Sequence, residues 1–221
     1  MDTAKMWEEG WLQKQGEIYI LRMFMPFPLK ENNCFIIEAD DGWIVLDTGV
    51  NLEQNNDLFI SALKAIGITM RRIKAVYLTH YHHDHSGMAG WLQEMADVPV
   101  YLPVDDLVTW QRFIDTDSYF DIAVHECLLM GWPEEFVREL SDNINYINTY
   151  IQPLPEFVPY SAGLSLNLHG QEYKAIAVPG HTDGHVVFYN SAGGIFFTGD
   201  NVVDHTILHL TDWPHTYLSN P

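Results

Sequence analysis

The chain has 221 residues, 47% of them hydrophobic, and carries 30 acidic against 11 basic side chains for a formal net charge of −19. A surface of that sign repels phosphate backbones, so nucleic acid is excluded as a partner and a small-molecule substrate is expected. The opening residues MDTAKMWEEGW lack a basic stretch followed by an apolar one, and no apolar run reaches the length of a membrane span. A cytoplasmic protein without membrane contact is therefore expected, with Cys34 and Cys127 as ordinary reduced thiols and Cys34 a small core residue.

Taken in chain order, residues 17–29 read as a strand that ends at Pro26 and Pro28. Residues 33–39 and 43–47 read as two strands joined by the hairpin turn Asp40-Asp41-Gly42, and Asp47-Thr48-Gly49 closes the second. Over 53–66 the residues Leu58, Phe59, Ala62, Leu63 and Ile66 recur at helical spacing, and Gly67 stops the helix. Residues 73–79 form a buried strand. The histidine run follows it, then a helix capped by Ser86 that continues to about Ala96, and a short strand over 98–102.

Residues 104–150 change character, being acidic, aromatic and helical in period, with the proline-rich stretch Pro153 to Pro159 as a linker. The segment 104–160 is expected to be a helical insertion that forms a lid. Its aromatic residues Trp110, Phe113, Tyr119, Phe120, Trp132 and Phe136 either cover an apolar acyl group or pack the insertion onto the core. Strand patterns return from Leu164, with turns at His169-Gly170 and Ala192-Gly193-Gly194. The second half echoes the first: each has a hairpin that ends in an Asp beside a Gly, and each has histidines directly after a strand.

Four histidines fall between positions 80 and 85, in His80-Tyr81-His82-His83-Asp84-His85. A strand ending at Thr79 delivers them on a loop. Alternation there turns His80 and His82 to one side, so two imidazoles reach one cation, while Asp84 and His85 enter the next helix and reach a second. Imidazole nitrogens with one carboxylate suit zinc, and also iron or manganese. Tyr81 and His83 point away. Catalytic zinc sites take about three protein ligands each, so more must come from later in the chain. His181, in Pro179-Gly180-His181-Thr182, and Asp200, in Thr198-Gly199-Asp200, stand at strand ends and are the candidates. A carboxylate is the natural bridge between two cations.

Together Asp47-Thr48-Gly49, the run from Thr79 to Gly87, Pro179-Gly180-His181-Thr182 and Gly199-Asp200 resemble the metallo-β-lactamase superfamily over positions 17 to 205. The resemblance implies an α/β fold, a four-layer αββα sandwich, as a single domain over 1–221. It implies one metal on His80, His82 and His181, a second on Asp84 and His85, and Asp200 bridging them. By it, Asp47 orients a ligand. The superfamily supplies a further histidine downstream of the bridging aspartate, and only His205, His209 and His215 precede Pro221. The chain is therefore expected to be truncated at its C-terminus.

These residues imply a binuclear metallohydrolase with two Zn2+ per chain. A metal-activated hydroxide would attack an ester, thioester or lactone carbonyl, with Asp84 orienting it. His82 in place of an acidic ligand disfavours the oxygen-reducing flavodiiron branch, and a glyoxalase II-like hydrolase is the nearest description. The alternatives are a mononuclear iron oxygenase of the persulfide dioxygenase type and a metal-binding or sensing domain without turnover.

Overall fold

Runs of β-branched and aromatic residues make the strands, and their alternation decides which face each side chain covers. The computed structural model describes residues 3–27, 29–114, 124–125, 127–135 and 146–202. Helix α1 (Thr3–Glu8) precedes β1 (Leu12–Gln15) and β2 (Ile18–Phe24), which pair antiparallel. β3 (Glu31–Ala39) and β4 (Gly42–Leu46) form the expected hairpin. Helix α2 (Glu53–Ile66) buries Leu58, Phe59, Ala62 and Leu63, and Gly67 ends it at φ 85°. That helix is the crossover needed to bring β5 (Ile73–Tyr77) parallel to β4.

After β5 come α3 (His83–Ser86), α4 (Ala89–Ala96), β6 (Val100–Pro103), α5 (Val104–Ile114) and β7 (Phe157–Tyr160). β5, β6 and β7 continue the parallel set. The chain then turns to an antiparallel set of β8 (Ser165–Leu168), β9 (Gln171–Ala177), β10 (Val186–Asn190) and β11 (Ile195–Phe197). The strand order is β11-β10-β9-β8-β3-β4-β5-β6-β7, with β2 on β3 and β1 on β2. Among the described residues the two halves pair strand to strand at one position, Ala39 with Leu168.

Two apolar cores follow from this layout. Val45, Val76, Leu78 and Val100 face Phe59, Leu63, Leu92 and Trp110 of the helices. One residue along each strand, Ile44, Leu46 and Ala75 face Tyr173, Ala175, Val186 and Phe188 of the other half. Strands buried on both faces read as continuous apolar runs, as β4 and β5 do. The α/β sandwich expected from the sequence is thus present, and the described residues supply a helical layer and both sheet layers.

Three local expectations change. The helix expected from Ser86 starts at His83 and breaks after Ser86, resuming at Ala89. Ser86 caps nothing; its hydroxyl donates to the Tyr81 carbonyl at 2.7 Å. The expected linker ends in β7, where Pro159 is tolerated because the strand lies at the sheet edge. In the segment 104–160, Trp110 and Phe113 belong to the core with Phe157, so packing explains them. Tyr119, Phe120 and Phe136 lie outside the described residues.

Candidate metal centre

Four strand ends converge to build one cluster. Asp47 follows β4, Thr79 to His85 follow β5, His181 and His185 lie between β9 and β10, and Asp200 follows β11. In α/β sheets, crevices beyond strand ends are where sites collect.

Asp47 organises the cluster. It is 1% exposed and adopts φ 53°, a left-handed conformation that a non-glycine residue holds only where its surroundings over-determine it. Its Oδ1 accepts from the Thr79 amide at 2.7 Å, and its Oδ2 accepts from the Thr79 hydroxyl at 2.9 Å and from His85 Nδ1 at 2.9 Å. Because the Thr79 hydroxyl gives its proton to Asp47, it accepts from His80 Nδ1 at 3.0 Å. Asp47 thereby sets the tautomer of both histidines, of His85 directly and of His80 through Thr79. Each ring then turns its Nε2 to the cluster. Among the described residues His80 Nε2 is buried without a hydrogen-bond partner. Buried polar atoms are nearly always satisfied, and a cation at Nε2 would satisfy this one.

The donor atoms of His80, His82 and His181 lie within 4.8 Å of one another, and so do those of His80, His85 and Asp200. Asp200 stands between the groups, with Oδ1 3.0 Å from His85 Nε2 and Oδ2 3.4 Å from His181 Nε2. Asp84 belongs to neither group, but its Oδ2 is 3.6 Å from His85 Nε2. The two expected bystanders point elsewhere. His83 packs edge-on against Phe27 at 5.0 Å, and buried Tyr81 packs against Phe113. His205, His209 and His215 lie outside the described residues.

The electrostatics fit cation binding. Burial, and then the neighbouring histidines, hold His80 and His82 well below the usual imidazole range. They are therefore neutral, which is the ligand form. Burial works against a charged His85, but Asp200, Asp84 and Asp47 hold it well above its ordinary value. Burial likewise works against ionised Asp200, yet His85 and His181 hold its acid far below the carboxylate range. Three carboxylates and five imidazoles in one cluster call for positive charge between them.

His185 is a member of the cluster that the sequence reading missed. It is fully buried, its ring lies 4.8 Å from that of His80, and its Nε2 accepts from the Asp200 amide at 3.3 Å. Burial, then the charges of His181 and His85, push it down to about 3. The signal was there in Gly184-His185, which repeats Gly180-His181. A cleft of about 900 Å³ opens on the Asp200 side, with Asp84, His85 and Asp200 at one end and Phe35, Ile195 and Phe197 along its wall.

A family model described as the metallo-beta-lactamase superfamily matches residues 28–217. The probable metallo-hydrolase YybB of Bacillus subtilis (strain 168) is 30% identical over 176 residues, 80% of this chain and 64% of that protein. An atrochrysone carboxyl ACP thioesterase of Aspergillus fumigatus is 27% identical over 179 residues, 81% of this chain and 31% of that protein. Among solved structures, a metallo-beta-lactamase family protein from Thermus thermophilus matches with a TM-score of 0.81 at 22% identity, over 92% of this chain and 65% of that one. The chain spans 45%, 64% and 46% of the length of three curated relatives that it matches.

Proposed function

The chain belongs to the metallo-β-lactamase superfamily, and on that premise we propose that it is a binuclear, glyoxalase II-like hydrolase of a small ester, thioester or lactone in the cytoplasm. The observation that carries this reading is the place of Asp200, whose two oxygens face a histidine of each donor group. His80, His82 and His181 would hold one cation, His85 and Asp84 the other, with Asp200 shared. Zinc suits this donor set, and iron or manganese are accepted by it. Bound cations lower the pKa of a coordinated water to about 7 and polarise a carbonyl.

The chain's own residues supply the rest. Asp47 keeps His80 and His85 in the ligating tautomer, as carboxylate partners of ligating histidines do. Asp84 Oδ2, beside His85 and on the cleft, orients the attacking water and takes its proton. The wall of Phe35, Ile195 and Phe197 receives the apolar part of the substrate. Two free, buried cysteines suit a reducing compartment, and no helix among the described residues is long and apolar enough to cross a membrane.

The test is elemental analysis of the purified chain beside a panel of esters, thioesters and lactones. Two metal equivalents per chain and turnover that a chelator abolishes are expected. Metal retained with no turnover across the panel would mark a sensing or binding domain instead. A second reading has one observation in its favour: His80, His85 and Asp200 form a two-histidine, one-carboxylate set, as in non-haem iron oxygenases. A single iron with oxygen consumption on a persulfide would establish it over the hydrolase.

A further inference from the structure

Asp106 stands in the first turn of α5, outside the metal cluster, and is fully buried. It collects three hydrogen bonds, none from its own helix. The Gly184 amide donates to Oδ1 at 2.6 Å, while the Tyr81 amide and the Thr182 hydroxyl each donate to Oδ2 at 3.0 Å. Tyr81 lies between His80 and His82, and Thr182 directly follows His181. One carboxylate therefore joins the two histidine loops at residues adjacent to all three donors of the first group. Gly184 permits the approach, since a Cβ there would lie 2.5 Å from the Asp106 amide nitrogen. One turn along α5, the Thr109 hydroxyl donates to Asp183 at 3.2 Å and repeats the tie. Behind the loops, the Val186 amide donates to the Thr79 carbonyl at 3.0 Å. That bond joins the loops at the residues beside His80 and His185, not beside His181. Burial, opposed by the three donors, leaves the Asp106 carboxyl raised to about 7.

We propose that Asp106 is a positioning residue that sets the spacing between the His80/His82 pair and His181, and with it the affinity of the first cation site. The role rests on the metal reading of that cluster. An ionised carboxylate offers acceptor lone pairs on both oxygens, whereas an amide turns one side into a donor. In Asp106→Asn an NH2 group would face either Gly184 N–H or the Tyr81 and Thr182 donors. One loop then loses its anchor.

Cobalt(II) titration with chelator competition, visible absorption of the cobalt form, and amide hydrogen exchange without metal test this on the full chain. Asp106→Asn should weaken the first cobalt about 10- to 100-fold, the range for partners that orient metal ligands, and shift its visible bands. In the same variant the Tyr81 and Gly184 amides should exchange faster, while those within β5 and β10 keep their protection. Thr182→Val should weaken cobalt by a smaller factor, and Thr182→Ser, which keeps the hydroxyl, should bind like the unaltered chain. A folded Asp106→Asn variant with unchanged affinity and unchanged exchange overturns the assignment. Should that variant not fold, the Thr182→Val and Thr182→Ser pair decides, with equal affinities counting against it. Absence of cobalt binding by the unaltered chain would instead overturn the metal reading, and exchange at Tyr81 and Gly184 would still decide the tie.

Discussion

Asp47 shows how one side chain sets the chemistry of others at a distance. Its two oxygens take three donors, and two of those bonds decide which nitrogen of His80 and of His85 faces the cluster. Asp47→Asn would put an NH2 group against the Thr79 amide or against the Thr79 hydroxyl and His85 Nδ1. Metal affinity should then fall about 10- to 100-fold, as read by chelator competition, and an unchanged affinity would refute the role. His82 contributes to the first donor group only. His82→Ala should empty that group and abolish hydrolysis; a variant that still turns over substrate would dismantle the proposed site. Asp84→Ala should spare the first cation and remove most turnover, since Asp84 lies beyond both donor groups but beside His85. Survival of turnover there would mean that the reaction needs one metal.

At the scale of elements, the segment leading into β7 is docked backbone to backbone. Gly90 is buried in α4, and a Cβ on it would lie 1.8 Å from the Pro153 carbonyl oxygen. The Asn51 amide donates to the Tyr150 carbonyl at 2.8 Å and the Asn51 side chain to the Gln152 carbonyl, so the loop after β4 grips the same segment. Gly90→Ala has no flexible neighbour to push aside. Forcing extra volume into such a contact costs about 1–3 kcal/mol, which for a chain of this size is a fall in melting temperature of roughly 2–4 °C per kcal/mol. Thermal denaturation should show it, and an unaltered melting temperature would mean that the segment shifts freely. The docking also explains why a proline-rich stretch ends as a strand. Pro159 lacks a donor, but β7 is the last strand of its sheet and needs partners on one side only.

For the whole molecule, the buried cluster sets the pH dependence of stability in the metal-free state. His80 and His82 are held well below the imidazole range, and His185 is pushed down to about 3. In the unfolded chain each titrates near 6.5. Their folded values are depressed, so the stability they contribute is present above about 6.5 and lost as pH falls, down to about 3 for His185. Asp106, raised to about 7, acts in the opposite sense: its contribution is full below the usual carboxylate range and fades as pH rises towards 7. His85, whose folded value is raised, acts in the same sense as Asp106: its contribution is full well below about 6.5 and fades as pH rises past it. Three depressed histidines outweigh one raised histidine and one raised carboxyl, which leaves a net loss on acidification. The urea midpoint of the chelator-treated chain should therefore be lower at pH 5 than at pH 7, and the reverse order would contradict this assignment of charges.

Much of this protein was legible in its sequence because the signals are local. Strand alternation turns His80 and His82 together and sends Tyr81 to the core, and helical spacing with a terminal glycine defines α2 to the residue. Metal chemistry uses few residue types, so a run of histidines at a strand end, with a later His181 and Asp200, could be read as one site. The tertiary structure decided what depends on residues far apart in the chain. It set Asp200 between His85 and His181, brought in His185, tied both histidine loops to Asp106 and made an edge strand of a proline-rich stretch. Such contacts are chosen by packing and by the need to satisfy every buried polar group, which act between residues far apart in the chain; of these only His185 left a local mark, in the repeated Gly-His.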